Sequence, residues 1–239
     1  TVSLQTPKGN YDLALPQDAK GNYLAYGKGT ITPLTITKIT LNPKANTPIT
    51  KVYDGNNDVT HVENGQTVEA KSYVTTLEAD IPNSTNKLTF TQDAPSLGYT
   101  VEDARFDEKN SHNSQPQNVT YYLKVKGPDG FADYTFDASL LDQEGRVKAA
   151  YAPQGVITPR EVKPVVKGSV TKVFDGTRYV VGADGTELSG NQLVDLQGIL
   201  AADQGSVTNG TTAVYQNANV NRAGNYEDGK GFVQYTYQL

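Results

Sequence analysis

The 239-residue sequence contains no cysteine, no methionine and no tryptophan. Without cysteine the chain can form no disulfide, no thiolate metal site and no thiol nucleophile. No apolar run approaches the roughly 20 residues that a membrane-spanning helix needs, so we expect no membrane insertion within this chain. An initiator methionine and a signal peptide are also missing, which predicts a fragment or processed product whose export signal lies elsewhere.

The charges give no sign of a polyanion as partner. The chain carries 21 basic and 26 acidic residues, for a net charge of -5, and they are scattered along the sequence. Without a lysine or arginine stripe we expect no binding to nucleic acid or to an anionic membrane surface. The ordered-looking stretches are instead rich in threonine, valine and tyrosine, which favour β-strands.

An internal repeat organises the sequence. ITKITLNPKANTPITKVYDG at 36–55 and ITPREVKPVVKGSVTKVFDG at 157–176 align without a gap, with eight identities. Residues 104–110 match 213–219, and Gly-Thr-Ile-Thr-Pro at 29–33 matches Gly-Val-Ile-Thr-Pro at 155–159. A repeat at this spacing predicts modular units. We expect tail strands of a preceding unit at 1–35, packed on the first unit, then a first unit at 36–156. A second unit follows at 157–239, which we expect to lack its closing strands.

Short alternating runs predict strands throughout, at 29–41, 87–91, 119–125 and 232–239. Clusters of Gly, Pro, Asn and Asp bound these runs and supply the turn conformations. The sequence therefore predicts an all-β fold, with tandem Ig-like β-sandwich units arranged end to end. Residues 187–202 predict strand–turn–strand, with a single helical turn as the alternative, since Gly190 and Gly198 interrupt a partial helical spacing.

The repeated motif predicts a strand running into an Asp-Gly turn. We expect the aromatic residue to point inward, the valine to lie at a packing seam and the lysine to be solvated, although a ligand site at the motif stays open. The motif residues are Lys51, Val52, Tyr53, Asp54 and Gly55 in the first copy, and Lys172, Val173, Phe174, Asp175 and Gly176 in the second.

These residues resemble the YDG-type repeats of large bacterial surface adhesins and filamentous-haemagglutinin-like exoproteins. The further elements of the resemblance are 106–110 and 215–219, Tyr134, and Ile-Thr-Pro-Arg at 157–160. The first unit departs from the compact repeat through extra sequence at 58–80 and 138–153. The resemblance implies a non-catalytic stalk module on the bacterial cell surface, which spaces or presents a binding region for host attachment or biofilm. Alternatively, the insertions of the first unit themselves bind a host glycan or host surface protein. Its other expected partners are neighbouring repeats of the same chain, and we expect a monomer.

No catalytic signature appears in the sequence, so we expect no enzyme activity and no cofactor. Asp54 to Asp58 imitates the start of a calcium loop, but Val59 stands where that loop requires glycine. His61 and His112 lie in polar surroundings and predict exposed loop histidines.

Two further hypotheses concern covalent and ligand chemistry. One is an isopeptide cross-link between Lys51 and Asn110, or between Lys172 and Asn219, against the alternative of solvated lysines beside Asp-Gly turns. The other is sugar stacking on Tyr122 and Tyr237, against the alternative that the tyrosines serve only packing.

Overall fold

The structure is a computed structural model that describes residues 16–22, 24, 26–127, 134–216 and 233–237. The described chain is mostly β-strand, with only short 3-10 turns of helix, which confirms the predicted all-β class. The strands are β1 (Leu34–Ile36), β2 (Ile39–Pro43), β3 (Ile49–Val52), β4 (His61–Glu63), β5 (Gln66–Val68), β6 (Val74–Asp80), β7 (Lys87–Gln92), β8 (Gly98–Phe106), β9 (Val119–Lys126), β10 (Tyr134–Phe136), β11 (Val147–Ala150), β12 (Gly155–Thr158), β13 (Lys163–Val166), β14 (Val194–Gln197), β15 (Thr212–Tyr215) and β16 (Val233–Thr236). The 3-10 turns are Ala70–Tyr73, His112–Ser114, Ala138–Leu140, Gly190–Gln192 and Ala201–Asp203.

A six-stranded sheet in the order β11-β9-β8-β7-β6-β2 forms the body of the first unit. Its neighbours are antiparallel except for β7 and β8, which run parallel. Leu41 in β2 bridges Tyr151, which directly follows β11, so the sheet curls until its two edges approach each other. A curled sheet of this kind encloses its apolar face and leaves little open edge.

The antiparallel pair of β4 and β5 and two short parallel pairs also belong to this unit. β1 pairs with β10, and β3 pairs with β12 from 106 residues further along the chain, with Ile49 opposite Gly155. Ile157 in β12 is fully buried in the first core, so the unit boundary that we set at 156/157 falls inside this strand. Ile36 at the end of β1 is buried in the same core.

The two supposed insertions of the first unit are part of its core, which corrects the sequence analysis. Residues 58–80 contain β6, whose Leu77 and Ala79 are fully buried, and residues 138–153 contain β11, with buried Val147 and Ala149. They appeared to be insertions only because the second copy lacks matching sequence.

The buried hydrophobic residues of the described segments form two separate clusters. The first is built around Tyr99, Tyr121, Phe90 and Phe106, and its buried residues lie between Ile36 and Ile157 in the sequence. The second is smaller among the described residues, and consists of buried Val180, Leu193, Val194 and Ala213 with half-buried neighbours. A small cluster buries less apolar surface, so it contributes less stability.

Residues 187–202 follow neither predicted alternative alone. One strand, β14, lies between the 3-10 turns Gly190–Gln192 and Ala201–Asp203. Ser189 and Gln192 form a capping box on the first turn. Gly190 has a φ of 53° and Gly198 a φ of 103°, so both glycines occur where the backbone turns in a way that other residues rarely adopt.

Two buried tyrosines give a matched test of the first core. The Tyr121 hydroxyl donates to the Ala70 carbonyl at 2.9 Å, whereas the buried Tyr99 hydroxyl finds no partner within the described part of the chain. We expect Tyr121→Phe to lower the free energy of unfolding by about 1 kcal/mol, because the carbonyl loses its donor. Tyr99→Phe should be neutral or slightly stabilising. Equal losses in both variants, measured by urea unfolding, would contradict this assignment.

Candidate functional site: a lysine cluster repeated in both units

The lysine of the first motif is buried, not solvated as we expected. Ile49 and Lys51 alternate inward along β3, and the Lys51 side chain has 0% exposure. Its ammonium group lies 2.8 Å from Asp54 Oδ1, and it donates to Asn56 Oδ1 at 2.8 Å and to the Asp58 carbonyl at 2.9 Å. All three contacts come from the turn that follows β3, so the turn wraps around the lysine.

The turn has the Asx geometry that the Asp-Gly pair predicts. The Asp54 carboxylate accepts from the Asn56 backbone N–H at 3.2 Å, and Gly55 has a φ of 89°. This left-handed conformation favours glycine. The aromatic ring of Phe106, at the end of β8, lies with its centroid 5.8 Å from Lys51 Nζ. Ring and cation attract each other at this distance, and the ring shields the ammonium from water.

The second motif builds the same arrangement. Lys172 Nζ lies 2.8 Å from Asp175 Oδ1, and it donates to the Thr177 carbonyl at 2.9 Å and to Thr177 Oγ1 at 2.8 Å. The Tyr215 ring centroid lies 5.7 Å from Lys172 Nζ, and Gly176 has a φ of 76°. We call these two arrangements the lysine clusters. The first consists of Lys51, Asp54, Asn56 and Phe106, and the second of Lys172, Asp175, Thr177 and Tyr215.

Sequence comparison aligned Phe106 with Tyr215 but did not connect either ring with the lysine. The backbone contacts around the two clusters also correspond. Phe106 N–H donates to the Asn57 carbonyl and Tyr215 N–H to the Arg178 carbonyl, each at 2.8 Å. The internal repeat is therefore a repeat of three-dimensional structure at the motif.

The predicted role of the valine is wrong in both copies, and that of the aromatic residue is wrong in the second copy. Val52 is 53% exposed and Val173 is 90% exposed, so neither lies at a packing seam. Phe174 is 58% exposed instead of pointing inward, while its counterpart Tyr53 is half-buried against the first core. For Val52 the cause is the alternation of β3: because Lys51 faces inward, the valine must face outward.

Asp175 provides a pH-dependent signature of the second cluster. The hydrogen bond from Lys172, with those from the Thr177 backbone and side chain, lowers the pKa of Asp175 from 3.8 to about 2. Because the pKa is lower in the folded chain, the stabilisation is present above about pH 4 and is lost as the pH falls toward 2.

We expect an NMR titration of the Asp175 carboxyl carbon to show a midpoint near pH 2. Lys172→Met should move the midpoint back toward 3.8. Asp184 is the internal control, because Thr186 rather than a lysine lowers its pKa. An Asp175 midpoint that Lys172→Met does not move would show that the ion pair is absent in solution.

The structure does not bring together the groups of the proposed cross-link. The Lys51 ammonium contacts Asp54, Asn56 and Asp58, whereas Asn110 lines a cavity together with Tyr53 and Arg160. Asn219 lies outside the described residues. Asp54 is engaged by Lys51, and the described residues hold no cluster of three or more His, Asp or Glu side chains arranged for a metal ion.

The histidines differ from each other. His61 is buried, with Nδ1 2.8 Å from the Val59 carbonyl, so its prediction as an exposed loop residue is wrong. It lies at the start of β4 and faces the core side. His112 is exposed as expected, and its Nε2 lies 2.8 Å from Glu108 Oε2.

A cavity of about 460 Å³ lies where the first motif meets the chain that follows β12. Tyr53 and Asp203 line it, and a hydrogen bond with Asp203 raises the pKa of Tyr53. Arg160, also on the lining, donates from Nε to the Gly198 carbonyl at 2.7 Å. The cavity thus combines an aromatic ring of the first unit with charged side chains of the second.

The two candidate sugar-stacking tyrosines are in different surroundings. The Arg146 guanidinium lies 4.8 Å over the Tyr122 ring, so one face of that ring is already covered. Tyr237 is 46% exposed and its role stays a prediction. No contact or cavity among the described residues brings Tyr122 and Tyr237 together.

Comparison with known proteins gives no assignment: no family model, no curated protein and no solved structure matches this chain. In the described part of the chain, no helix has the length and apolar character needed to cross a membrane. The repeated lysine cluster is therefore the main structural basis for considering function.

Proposed function

We propose that this chain is a non-catalytic repeat module from the stalk of an extracellular bacterial surface adhesin, in which tandem Ig-like β-sandwich units space or present a binding region. The observation that carries the proposal is the duplication of the lysine cluster. A chain that builds the same cluster twice, about 120 residues apart, is using it as a structural element of each unit.

The chemistry of the cluster supports a structural role. The Lys51 ammonium has 0% exposure and its donors are directed at oxygens of its own turn. A nucleophilic or acid–base lysine needs access to a substrate and a free proton position. Lys51 instead joins its strand, its turn and the end of β8, where Phe106 lies over it. Such a connection stabilises the unit.

A replacement experiment in the parent protein tests this proposal. An antibody against this chain should label intact, unpermeabilised cells. Replacing the chain with an unrelated folded spacer of equal span should leave adhesion unchanged, because a stalk contributes reach rather than specific contacts. Deletion without a spacer should reduce adhesion. Loss of adhesion after equal-span replacement would contradict the stalk role.

The cavity beside Tyr53 favours a second candidate, binding of a host glycan or host protein by the chain itself. The insertions that we first suggested for this role form core strands, so the cavity is the better location. Tyr53→Ala and Arg160→Ala should then abolish glycan-array or cell binding, while Val62→Ala, at a 70% exposed site on β4, should not. Unchanged binding in both cavity variants would eliminate this candidate.

A further inference from the structure

In the first unit, the strand that carries the buried lysine has a parallel partner. β12, with the sequence Gly-Val-Ile-Thr, lies beside β3, and Gly155, Ile157 and Thr158 are opposite Ile49, Lys51 and Val52. Tyr53 N–H donates to the Thr158 carbonyl at 2.9 Å. In this pair Ile157 is completely buried and the Thr158 hydroxyl donates to the Lys51 carbonyl at 3.2 Å, so β12 covers the edge of the strand that carries the first lysine cluster.

In the second unit, the corresponding strand position has no such partner. Residues 170–174 form no strand pairing anywhere in the described chain. The consequence is visible in exposure: the Lys172 side chain is 11% exposed where that of Lys51 is 0%, and Val173 is 90% exposed. Tyr215 and Val233 are only half-buried, whereas their counterparts Phe106 and Val119 are buried. The second cluster is built but remains open on one side.

The described chain also contains a β12-like sequence without a partner of its own. Residues 29–33, Gly-Thr-Ile-Thr-Pro, repeat the Gly-x-Ile-Thr-Pro of 155–159, but they form no strand pairing in the described chain and all five are exposed. Ile31 is 96% exposed, although its counterpart Ile157 is completely buried. A sequence that pairs as a strand at 155–158 and lies unpaired at 29–33 has its backbone groups available for addition to an exposed strand.

We propose that residues 29–33 of one copy of this chain dock as a parallel strand beside residues 170–173 of a second copy and close its open lysine cluster. The register follows from the β3 and β12 pair. Gly29 would lie opposite Val170, Ile31 opposite Lys172, and Thr32 opposite Val173. This is strand addition to an exposed edge, in which backbone hydrogen bonds give affinity and side-chain pockets give specificity.

The glycine at the start of the docking segment supports this register. A Cβ on Gly155 would lie 2.4 Å from Phe106 Cε1 and 2.7 Å from Val119 Cγ2, so β12 can approach this ring only through a glycine. A Cβ on Gly29 meets nothing within 4 Å in the free chain. Gly29 is therefore dispensable for the fold of its own copy, yet in the docked strand it would face Tyr215 and Val233.

Donor and acceptor lie at different places on the chain, so each copy can both donate and accept a strand. Such a head-to-tail contact produces open chains of copies, or closed rings where the rotation between copies allows it. It replaces our expectation of a monomer, and it supplies the contact between neighbouring repeats. The inference rests on the modular repeat but not on surface location. A negative result for association of the purified chain would therefore leave the proposed stalk function untouched, and a negative result for cell adhesion would leave the docking proposal untouched.

Sedimentation equilibrium over a concentration series tests the docking. Wild type should self-associate, whereas Gly29→Val and Ile31→Asp should each remain monomeric with unchanged circular dichroism. Val62→Asp, at a 70% exposed valine elsewhere, is the matched surface control and should associate like wild type. Phe174→Pro should also remain monomeric, because the Phe174 N–H, the counterpart of the Tyr53 N–H, is the donor to the incoming strand.

Mixing two inactive variants gives the decisive result. Ile31→Asp keeps an intact acceptor and Phe174→Pro keeps an intact donor, so their mixture should form a one-to-one dimer and nothing larger. A wild-type chain that stays monomeric up to about 1 mM would overturn the proposal, since a Kd above that corresponds to negligible docking. Association that survives Ile31→Asp would also overturn it, because another segment would then be the docking strand. So would protection of the Phe174 N–H that depends on Ile31 in a monomer, because the strand would then dock within one copy.

Discussion

Replacing Lys51 with alanine should lower the free energy of unfolding of the first unit by about 3 kcal/mol. Removing one partner of a buried ion pair costs about 3–5 kcal/mol, because the other groups lose their compensation in a place that water reaches poorly. The lower end applies here, since Asp54 is 29% exposed and can recover some hydration. The Asp58 carbonyl and Asn56 Oδ1 lose a donor as well.

Lys51→Met separates the charge from the packing. Methionine keeps most of the apolar stem that lies along the core, so the remaining loss, about 1–3 kcal/mol, comes from the unsatisfied oxygens. Lys38→Ala is the matched control, because Lys38 pairs with Asp80 at 3.0 Å but is 73% exposed. Exposed pairs of this kind contribute no more than about 1 kcal/mol.

The measurement must distinguish the two clusters. The chain has no tryptophan and 15 tyrosines spread over both units, so bulk fluorescence mixes their signals. Hydrogen exchange in increasing urea resolves peptides of 36–158 from peptides of later residues. A Lys51→Met variant as stable as wild type in the first unit would show that the lysine cluster does not stabilise it.

Strands with a clear alternation could be predicted from the sequence. β9 and β7 follow the runs that we identified at 119–125 and 87–91. In these runs one face is buried against the core and the other faces solvent, so apolar and polar residues alternate along the sequence. The Asp-Gly turns could also be predicted from the sequence, because their positive φ angles favour glycine.

The parallel pairings could not be predicted in the same way. β3 and β12 lie about one hundred residues apart, and each is only four residues long. The sequence of neither strand therefore identifies the strand with which it pairs. β6 was missed for another reason. The comparison with the second copy made residues 58–80 look like an inserted loop, although Leu77 and Ala79 alternate as in any half-buried strand.

The burial of Lys51 illustrates what sequence reasoning lacked at the candidate site. A lysine beside Asp-Gly is ordinarily solvated, because desolvating an ammonium is costly. Here the turn supplies two side-chain oxygens and one carbonyl, and β8 supplies a ring, which offsets that cost. The available signal was the matching aromatic of 104–110 and 213–219. It becomes interpretable only when β8 and the motif are known to be adjacent.

Gly155→Ala should lower the free energy of unfolding of the first unit by about 2–3 kcal/mol, as overpacking of a well-filled core does. The new Cβ would lie 2.4 Å from Phe106 Cε1 and 2.7 Å from Val119 Cγ2, and both of these side chains are buried. Neither can rotate into solvent, so β12 must move away from the Phe106 ring and from Val119. That movement also opens the lysine cluster, because Phe106 is the ring that covers Lys51.

Gly29→Ala is the matched control, since it changes the same position of the same Gly-x-Ile-Thr-Pro sequence where a Cβ meets nothing. We expect its effect to stay within about 0.5 kcal/mol, as for ordinary surface changes. Phe106→Leu combined with Gly155→Ala should cost less than the sum of the single changes, because the smaller side chain makes room for the methyl group. Hydrogen exchange in increasing urea, followed on peptides of 36–158, measures all four proteins. Additive losses would show that Gly155 acts through something other than its contact with Phe106, and the link between β12 and the lysine cluster would then fail.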